Sequence, residues 1–378
     1  MFSLNKLVFD MVSIDSVNPD LVKGARGEEE LGQFVFNWCR DKKLEVYKQA
    51  VARGRYNIVA IARGNQSSSA KNIMLNAHLD TVGIASMEEP FGARIQQGRL
   101  YGRGAYDMKS GLGMCMQVCA EAQSLNLAGD VILAAVVDEE YASIGIQQLL
   151  KTYQADACIV AEPTDLAIGI AHKGFAWYRI TTQGRAAHGS RADLGIDAIV
   201  HMAQVVQELD ALSLGLRSKR HPLLGEASMH MSTIQGGQEL SSYPDSCVLE
   251  LERRTLPAED PETILAEIQG VLDALARADS NFHAQVEMTL ARDPFESSTE
   301  ERIFQQLHRQ ASLELGEELE VKGLPFWIDA AFIAKAGIPT VVFGPAGEGA
   351  HASQEWCDLD SLAQCKHIVL ETVKAFCA

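Results

Sequence analysis

From residue 29 to residue 172 the chain alternates amphipathic stretches with short, nearly unbroken apolar runs. Leu31, Phe34, Val35, Trp38 and Cys39 fall at helical spacing behind Glu28-Glu29-Glu30, an acidic start that suits the positive end of a helix. Strands are expected over 44–50 and 57–62 and up to His78, with a polar loop at 64–70 holding the short serine tract Ser67–Ser69. A helix over 110–122, a strand over 131–137, a helix over 144–152 and a strand over 158–161 follow. Apolar runs without polar alternation are strands buried on both faces. The βαβ order therefore predicts a mostly parallel sheet sandwiched by helices.

After His172 the pattern changes. A strand over 175–182, a helix over 195–212, strands over 228–234 and 247–253, a helix over 261–277 and a strand over 284–291 give the order β-α-β-β-α-β. That order belongs to the split βαβ, or ferredoxin-like, module. From about residue 297 the first pattern resumes, with a helix over 300–315, a strand over 340–343 and a helix over 361–376. The expected architecture is an α/β domain of residues 1–173 and 295–378, interrupted by an inserted α+β module of residues 174–294.

Composition narrows the partners. The chain has 378 residues, enough for two cores, and a formal net charge of −17. No surplus of Lys and Arg exists to neutralise phosphates or an anionic membrane surface, so neither nucleic acid nor membrane is an expected partner. Residues 1–19 lack the basic start and sustained apolar core of a signal peptide, and no run reaches the length of a membrane span. The eight Cys are scattered through apolar runs without a Cys-x-x-Cys pair, as suits reduced thiols in a cytoplasmic protein.

The apolar runs end in acid/base and metal-ligand residue types. The strand up to His78 opens into His78-Leu79-Asp80, 131–137 into Asp138-Glu139-Glu140, and 158–161 into Glu162; 340–343 leads through a Gly/Pro loop to His351. Asp107 sits between the turn Gly102-Arg103-Gly104 and the helix starting near Ser110. Ligands of open α/β sheets bind at the carboxyl ends of the strands. In an extended segment Asp80 shares a face with His78 and would hold its imidazole from behind. Each residue also has a structural reading: Asp107 as a helix cap, Glu139-Glu140 as a solvated helix start, and His78 as a hydrogen-bonded strand end. Adjacent carboxylates at the end of a buried strand nevertheless repel unless a cation lies beside them. Two His and four carboxylates at these ends fit a site for two metal ions and hydrolysis.

Taken together and in this order, the motifs resemble the co-catalytic zinc aminoacyl hydrolases, the family of acetylornithine deacetylase, succinyl-diaminopimelate desuccinylase, aminoacylase and glutamate-type carboxypeptidases. The resemblance spans nearly the whole chain and makes the inserted module a lid and dimerisation domain. It implies that His78, Asp107 and Glu162 hold one metal and that Asp107, Glu140 and His351 hold the other. Asp107 would bridge the two, with a cis peptide often following it. Glu139 is the implied general base, and Asp80 supports the site. Two lid motifs extend the likeness. In Gly184-Arg185-Ala186-Ala187-His188, His188 would reach the partner subunit's site and stabilise the oxyanion; in Leu251-Glu252-Arg253-Arg254, Arg254 would bind the substrate's carboxylate. As structural alternatives, His188 is a turn residue and Arg254 a surface ion-pair partner. Ala192 stands where the family commonly has Pro, Glu252 replaces Asp, and Gln354 precedes Glu355 where Asp-Glu is common.

The expected function is removal of an acyl group from an N-acyl amino acid by a cytoplasmic homodimer of the acetylornithine deacetylase or succinyl-diaminopimelate desuccinylase kind. A metal-bridged hydroxide would attack the amide, with Glu139 moving the protons. The alternative is a dipeptidase or carboxypeptidase of the same family. Zinc is the expected ion at both positions, and cobalt or manganese suit the same ligands.

Overall fold

The computed structural model describes residues 3–65 and 70–378, so the middle of the polar loop and its serine tract lie outside the described residues. The chain divides into two compact units. The first comprises the chain up to Ile170 with Ser297–Lys322 and Ile328–Ala378; the second comprises Ala171–Glu296 with Gly323–Trp327.

The first unit is built on a mixed sheet. Its four central strands, Val131–Val136, Ile73–His78, Ala157–Val160 and Thr340–Val342, lie side by side and parallel. Every residue in these four strands is buried, which is why their sequences show no polar alternation. Arg55–Ala62 joins Val131–Val136 antiparallel, and Glu45–Ala52 joins Arg55–Ala62 in the same sense. On the other flank Ile168–His172 pairs antiparallel with Thr340–Val342. The helix Ser110–Ala122 packs on the central strands, on Leu4–Val12 and on Leu359–Phe376, and so is apolar nearly all round.

Several elements had no legible pattern. The helix Leu4–Val12 is capped by the Ser3 hydroxyl, which accepts from the Lys6 N–H. A small antiparallel sheet joins Arg94–Gln96, Arg99–Tyr101, Gly347–Glu348 and Trp356–Asp358. Strands of two or three residues are too short for a hydrophobic period to register.

The second unit is a four-stranded antiparallel sheet in the order Ser228–Gly236, Ser246–Thr255, Gly174–Gln183, His283–Arg292. In Gly174–Gln183 buried and more exposed positions alternate, so one face is covered. Ala176, Tyr178, Ile180, Leu249 and Leu251 bury that face against Val205 and Leu209 of helix Ala198–Leu216 and Ile268 and Leu272 of helix Pro261–Ala278. Each fully buried Leu or Ile contributes about 1.5–3 kcal/mol. Asp197 and Asp260 cap these two helices by accepting main-chain N–H bonds.

Candidate metal centre

His78, Asp80, Asp107, Glu139, Glu140, Glu162 and His351 all belong to the first unit. His78 is the last residue of its strand and is buried. Its Nδ1 lies 2.8 Å from the main-chain oxygen of Asp80. A carbonyl only accepts, so Nδ1 carries the proton, and Nε2 is the atom presented to the site. Nε2 lies 3.1 Å from Asp107 Oδ1 and 3.6 Å from Glu162 Oε1.

Asp80 supports the site by a route different from the expected one. Its carboxylate is 3.7 Å from His78 Nδ1, outside hydrogen-bond reach. Instead Oδ1 accepts the Glu139 N–H and Oδ2 the Glu140 N–H, each at 3.1 Å. The strand stops at His78, so the shared-face geometry of positions i and i+2 no longer applies at Asp80. The side chain turns toward the end of the neighbouring strand and anchors the acidic pair that follows it.

Asp107 lies in the irregular turn Ala105–Lys109, where its own backbone and that of Met108 are non-helical, and its peptide to Met108 is cis. Gly104 precedes the turn at φ 81°, where a Cβ would meet Thr81 Cγ2 at 2.8 Å, so glycine is required there. Glu355 fixes the turn. Its Oε1 accepts the N–H groups of Tyr106 (2.9 Å) and Asp107 (3.0 Å), and its Oε2 accepts from Gly104 N (3.0 Å) and Arg103 Nη1 (2.8 Å). Arg103 also donates to the Ala352 carbonyl at 2.9 Å, beside His351. The buried Arg103–Glu355 pair thus ties together the two loops that present Asp107 and His351.

The two oxygens of Asp107 face different histidines. Oδ1 is the one near His78, while Oδ2 is 3.3 Å from His351 Nε2, which is itself 3.1 Å from Glu140 Oε2. Ligand-type atoms of His78, Glu139 and Glu162 lie within 4.8 Å of one another, as do those of His78, Asp107 and Glu140. Among the described residues, Glu139 Oε1 and Glu140 Oε1 are buried without a hydrogen-bond partner. Buried carboxylate oxygens without donors are costly unless a cation or a proton satisfies them. An imidazole and carboxylate set of this kind fits divalent metals.

The electrostatics reflect this crowding. Burial pushes the Glu139, Glu140 and Glu162 carboxyls above their ordinary value, and neighbouring carboxylates add to the effect. Burial alone would lower the His78 imidazole, but Glu162 and Asp107 carry it well above its usual value. Hydrogen bonds to Asp107 and Glu140 raise His351 to about 10. Asp107 goes the other way: despite burial, His351 and His78 hold it well below the usual carboxylate range.

Asp329 was not singled out from the sequence. It sits at the start of helix Ala330–Lys335, where the sequence reads as an ordinary cap, yet its side chain caps nothing. It is buried, desolvation raises it to about 7, and its charge is felt by Glu139 and Glu162. Arg103 and Glu355 stand in segments the sequence marks, but their pairing, across 252 positions, is not legible there.

His188 and Arg254 belong to the second unit. His188 is exposed in a turn, with Nδ1 2.8 Å from Ser190 Oγ. Arg254 donates from Nε to Glu252 Oε1 at 2.6 Å and lies over the Phe175 ring at 5.2 Å. The neighbouring Arg253 is buried and paired with Glu259, so Arg254 is the outward guanidinium of the two.

Comparison with known proteins gives a consistent picture. The sequence profile described as Peptidase family M20/M25/M40 matches residues 74–375. An N-formyl-4-amino-5-aminomethyl-2-methylpyrimidine deformylase of Halalkalibacterium halodurans is 27% identical, with 93% of this chain and 90% of that protein covered. An acetylornithine deacetylase of Erwinia tasmaniensis is 27% identical, with 93% and 92% covered. Among solved structures, the aminopeptidase PepT of Bacillus cereus superposes with a TM-score of 0.80 at 19% identity over 99% of this chain and 98% of that one, a likeness of fold.

Proposed function

Because the chain belongs to peptidase family M20/M25/M40, and is thereby a metallo-hydrolase acting on amide bonds, we propose that it removes a short acyl group from the amine of an N-acyl amino acid. One observation carries the metal assignment: the two oxygens of a single carboxylate, Asp107, face two different histidines. In this reading His78, Asp107 and Glu162 hold one divalent ion, and Asp107, Glu140 and His351 hold the other. Two such ions, zinc or alternatively cobalt or manganese, would supply an acidified water and a Lewis acid for the amide carbonyl. Glu139 belongs to neither ligand set. Its carboxylate, one oxygen of which is buried without a hydrogen-bond partner, takes the proton of the attacking water and passes it to the leaving amine. His188 stabilises the oxyanion from the partner subunit, and Arg254 holds the substrate's carboxylate, a task suited to a guanidinium.

Acyl removal is favoured over peptide cleavage because the named sequence relatives release formyl and acetyl groups. Arg254 favours a substrate with a carboxylate. A dipeptidase or carboxypeptidase is the second reading, supported by the fold shared with an aminopeptidase. The second unit is read as a lid and dimerisation module and the protein as a cytoplasmic homodimer. Support comes from the exposed Ile199, Val200, Leu214 and Ile234 on that unit and from eight free, buried cysteines. Among the described residues no helix is long and apolar enough to cross a membrane.

The test joins metal analysis of the purified protein with a substrate panel of acetylornithine, succinyl-diaminopimelate, acetyl-methionine, an N-formyl aminomethylpyrimidine and several dipeptides. About two ions per chain and a preference for acyl amino acids are expected. A preference for dipeptides or for the carboxylate-free pyrimidine overturns the substrate reading. Glu139→Gln is expected to fold and bind metal but to lose about 10²–10⁴-fold in turnover. Near-normal activity in that variant removes Glu139 as the base.

A further inference from the structure

Behind the candidate metal centre lies a buried polar network that no proposed ligand set uses. Asp80 and Asp138 are both fully buried carboxylates. They hold the segment carrying Glu139 and Glu140 from two sides. Asp80 accepts the Glu139 and Glu140 N–H groups, while Asp138 Oδ2 accepts those of Ala142 at 3.2 Å and Ile144 at 3.4 Å. Two desolvated anions so placed repel each other unless donors stand between them.

The donor is one amide. Asn18 Nδ2 lies 2.8 Å from Asp80 Oδ2 and 3.0 Å from Asp138 Oδ1, so its two hydrogens serve one carboxylate each. Asn18 Oδ1 accepts the N–H groups of Asp20 at 2.9 Å and Leu21 at 3.3 Å. These four bonds fix the amide's orientation. A flipped amide would set its oxygen against both carboxylates and its NH2 against two N–H donors. Arg55 completes the frame: Nη2 donates to Asp138 Oδ1 at 2.9 Å, Nη1 to Asp20 at 2.5 Å, and Nε to Glu28 at 3.0 Å. Asn18, Asp20, Glu28 and Arg55 all precede residue 74, where the family match begins.

We propose that Asn18 and Arg55 are positioning residues for hydrolysis: they brace Asp80 and Asp138, and through them set where Glu139 and Glu140 stand. The proposal rests on reading Glu139 as the base and Glu140 as a ligand. Without the brace both carboxylates re-orient, and the peptide groups of residues 139, 140, 142 and 144 lose their acceptors. Misplacing a reacting group by about 1 Å can cost about 10²-fold in rate. The N-terminal segment is therefore part of the catalytic frame although none of its side chains is assigned to substrate or metal.

The test uses the full chain with Asn18→Ala and Arg55→Lys, the best substrate of the panel above, and cobalt(II) titrated into chelator-stripped protein. Asn18→Ala is expected to keep its far-ultraviolet dichroism, to lose at least about tenfold in kcat at saturating metal, and to hold KM within about twofold. Its cobalt absorption spectrum changes as well, because Glu140 shifts. Arg55→Lys, which keeps the charge but loses the fork, falls between the two. A folded Asn18→Ala protein with wild-type kcat and cobalt spectrum overturns the proposal, even with a lowered melting temperature, since that is the mark of a merely structural role. Should Asn18→Ala not fold, Asn18→Ser keeps one donated hydrogen and is expected to lie between Asn18→Ala and wild type; wild-type kcat in that variant likewise overturns it. Wild-type protein that takes up no cobalt and cleaves no panel member overturns the metal-hydrolase site assignment itself, a failure visible without any variant.

Discussion

Replacing Glu355 by Gln changes no shape and tests whether the Arg103–Glu355 pair holds the metal centre together. The carboxylate accepts four hydrogen bonds, three from main-chain N–H groups of the Asp107 turn and one from Arg103. A glutamine keeps one acceptor oxygen, so two of the four bonds survive, and its NH2 is forced against two donors. Each hydrogen bond to a charged group contributes about 1.5–3 kcal/mol. Two lost bonds, discounted for relaxation, agree with the roughly 3–5 kcal/mol found when one partner of a buried ion pair is removed. Arg103 and Glu355 are 1% and 2% exposed, so solvent offers little compensation. Hydrogen–deuterium exchange of the peptide spanning residues 102–110 is the direct assay. Three kcal/mol corresponds to about 10²-fold faster exchange wherever opening precedes exchange. Metal affinity falls in parallel, since the same pair positions both Asp107 and the His351 loop. Unchanged exchange and unchanged metal affinity would refute the reasoning. They would mean that Glu355 already carries a proton in the native protein, the direction in which burial pushes it.

Three further outcomes follow from the structure. Metal binding to stripped protein at pH 7 should release at least about two protons, because His351 is raised to about 10 and His78 well above its usual value, both must lose a proton to ligate, and the raised Glu140 and Glu162 add to the release. Affinity then rises with pH, and calorimetry in buffers of different ionisation enthalpy checks it; zero net release refutes the ligand set. Gly111→Ala should cost about 1–3 kcal/mol or more and weaken metal binding, because its Cβ would sit 2.1 Å from the Ala161 carbonyl next to Glu162. Gly270→Ala, in a helix with nothing within 4 Å, should instead stabilise by about 0.5–1 kcal/mol, and urea unfolding compares the two.

What the sequence made legible was what local pattern can encode. Unbroken apolar runs marked the four central strands because both of their faces are buried, and the residues at their ends then marked the site. The second unit was legible from its order of elements, and the alternating burial in Gly174–Gln183 and Ser246–Thr255 shows a sheet with one covered face. Supports that depend on long-range pairing were silent. Asn18 meets Asp138 across 120 positions and Arg103 meets Glu355 across 252, and nothing in either neighbourhood announces its partner. Asp80 was found for its proximity to His78, but its carboxylate serves the Glu139 and Glu140 amides, a contact made possible by Leu79 donating to Val136 as the strands part. Gly323–Trp327 belongs to the second unit although it lies in the resumed α/β stretch, and five residues are too few for a hydrophobic period to reveal it.

The charge balance of the site bears on the different roles proposed for its carboxylates. Asp107, Glu139, Glu140, Glu162 and Asp329 are too many anions for a desolvated space with two imidazoles. Without cations the protein must hold protons there. Burial accordingly raises Glu139, Glu140, Glu162 and Asp329, the last to about 7. Asp107 alone among the five is lowered, since His351 and His78 flank its two oxygens. It is thus the carboxylate that stays ionised whether protons or metals fill the site, as the bridging role proposed for it requires. In the proposed division dications would replace the protons on Glu140 and Glu162 and leave Glu139 bound to neither ion. Bound dications would lower Glu139 again, toward the range in which one carboxylate can both take a proton from water and give it up to the leaving amine.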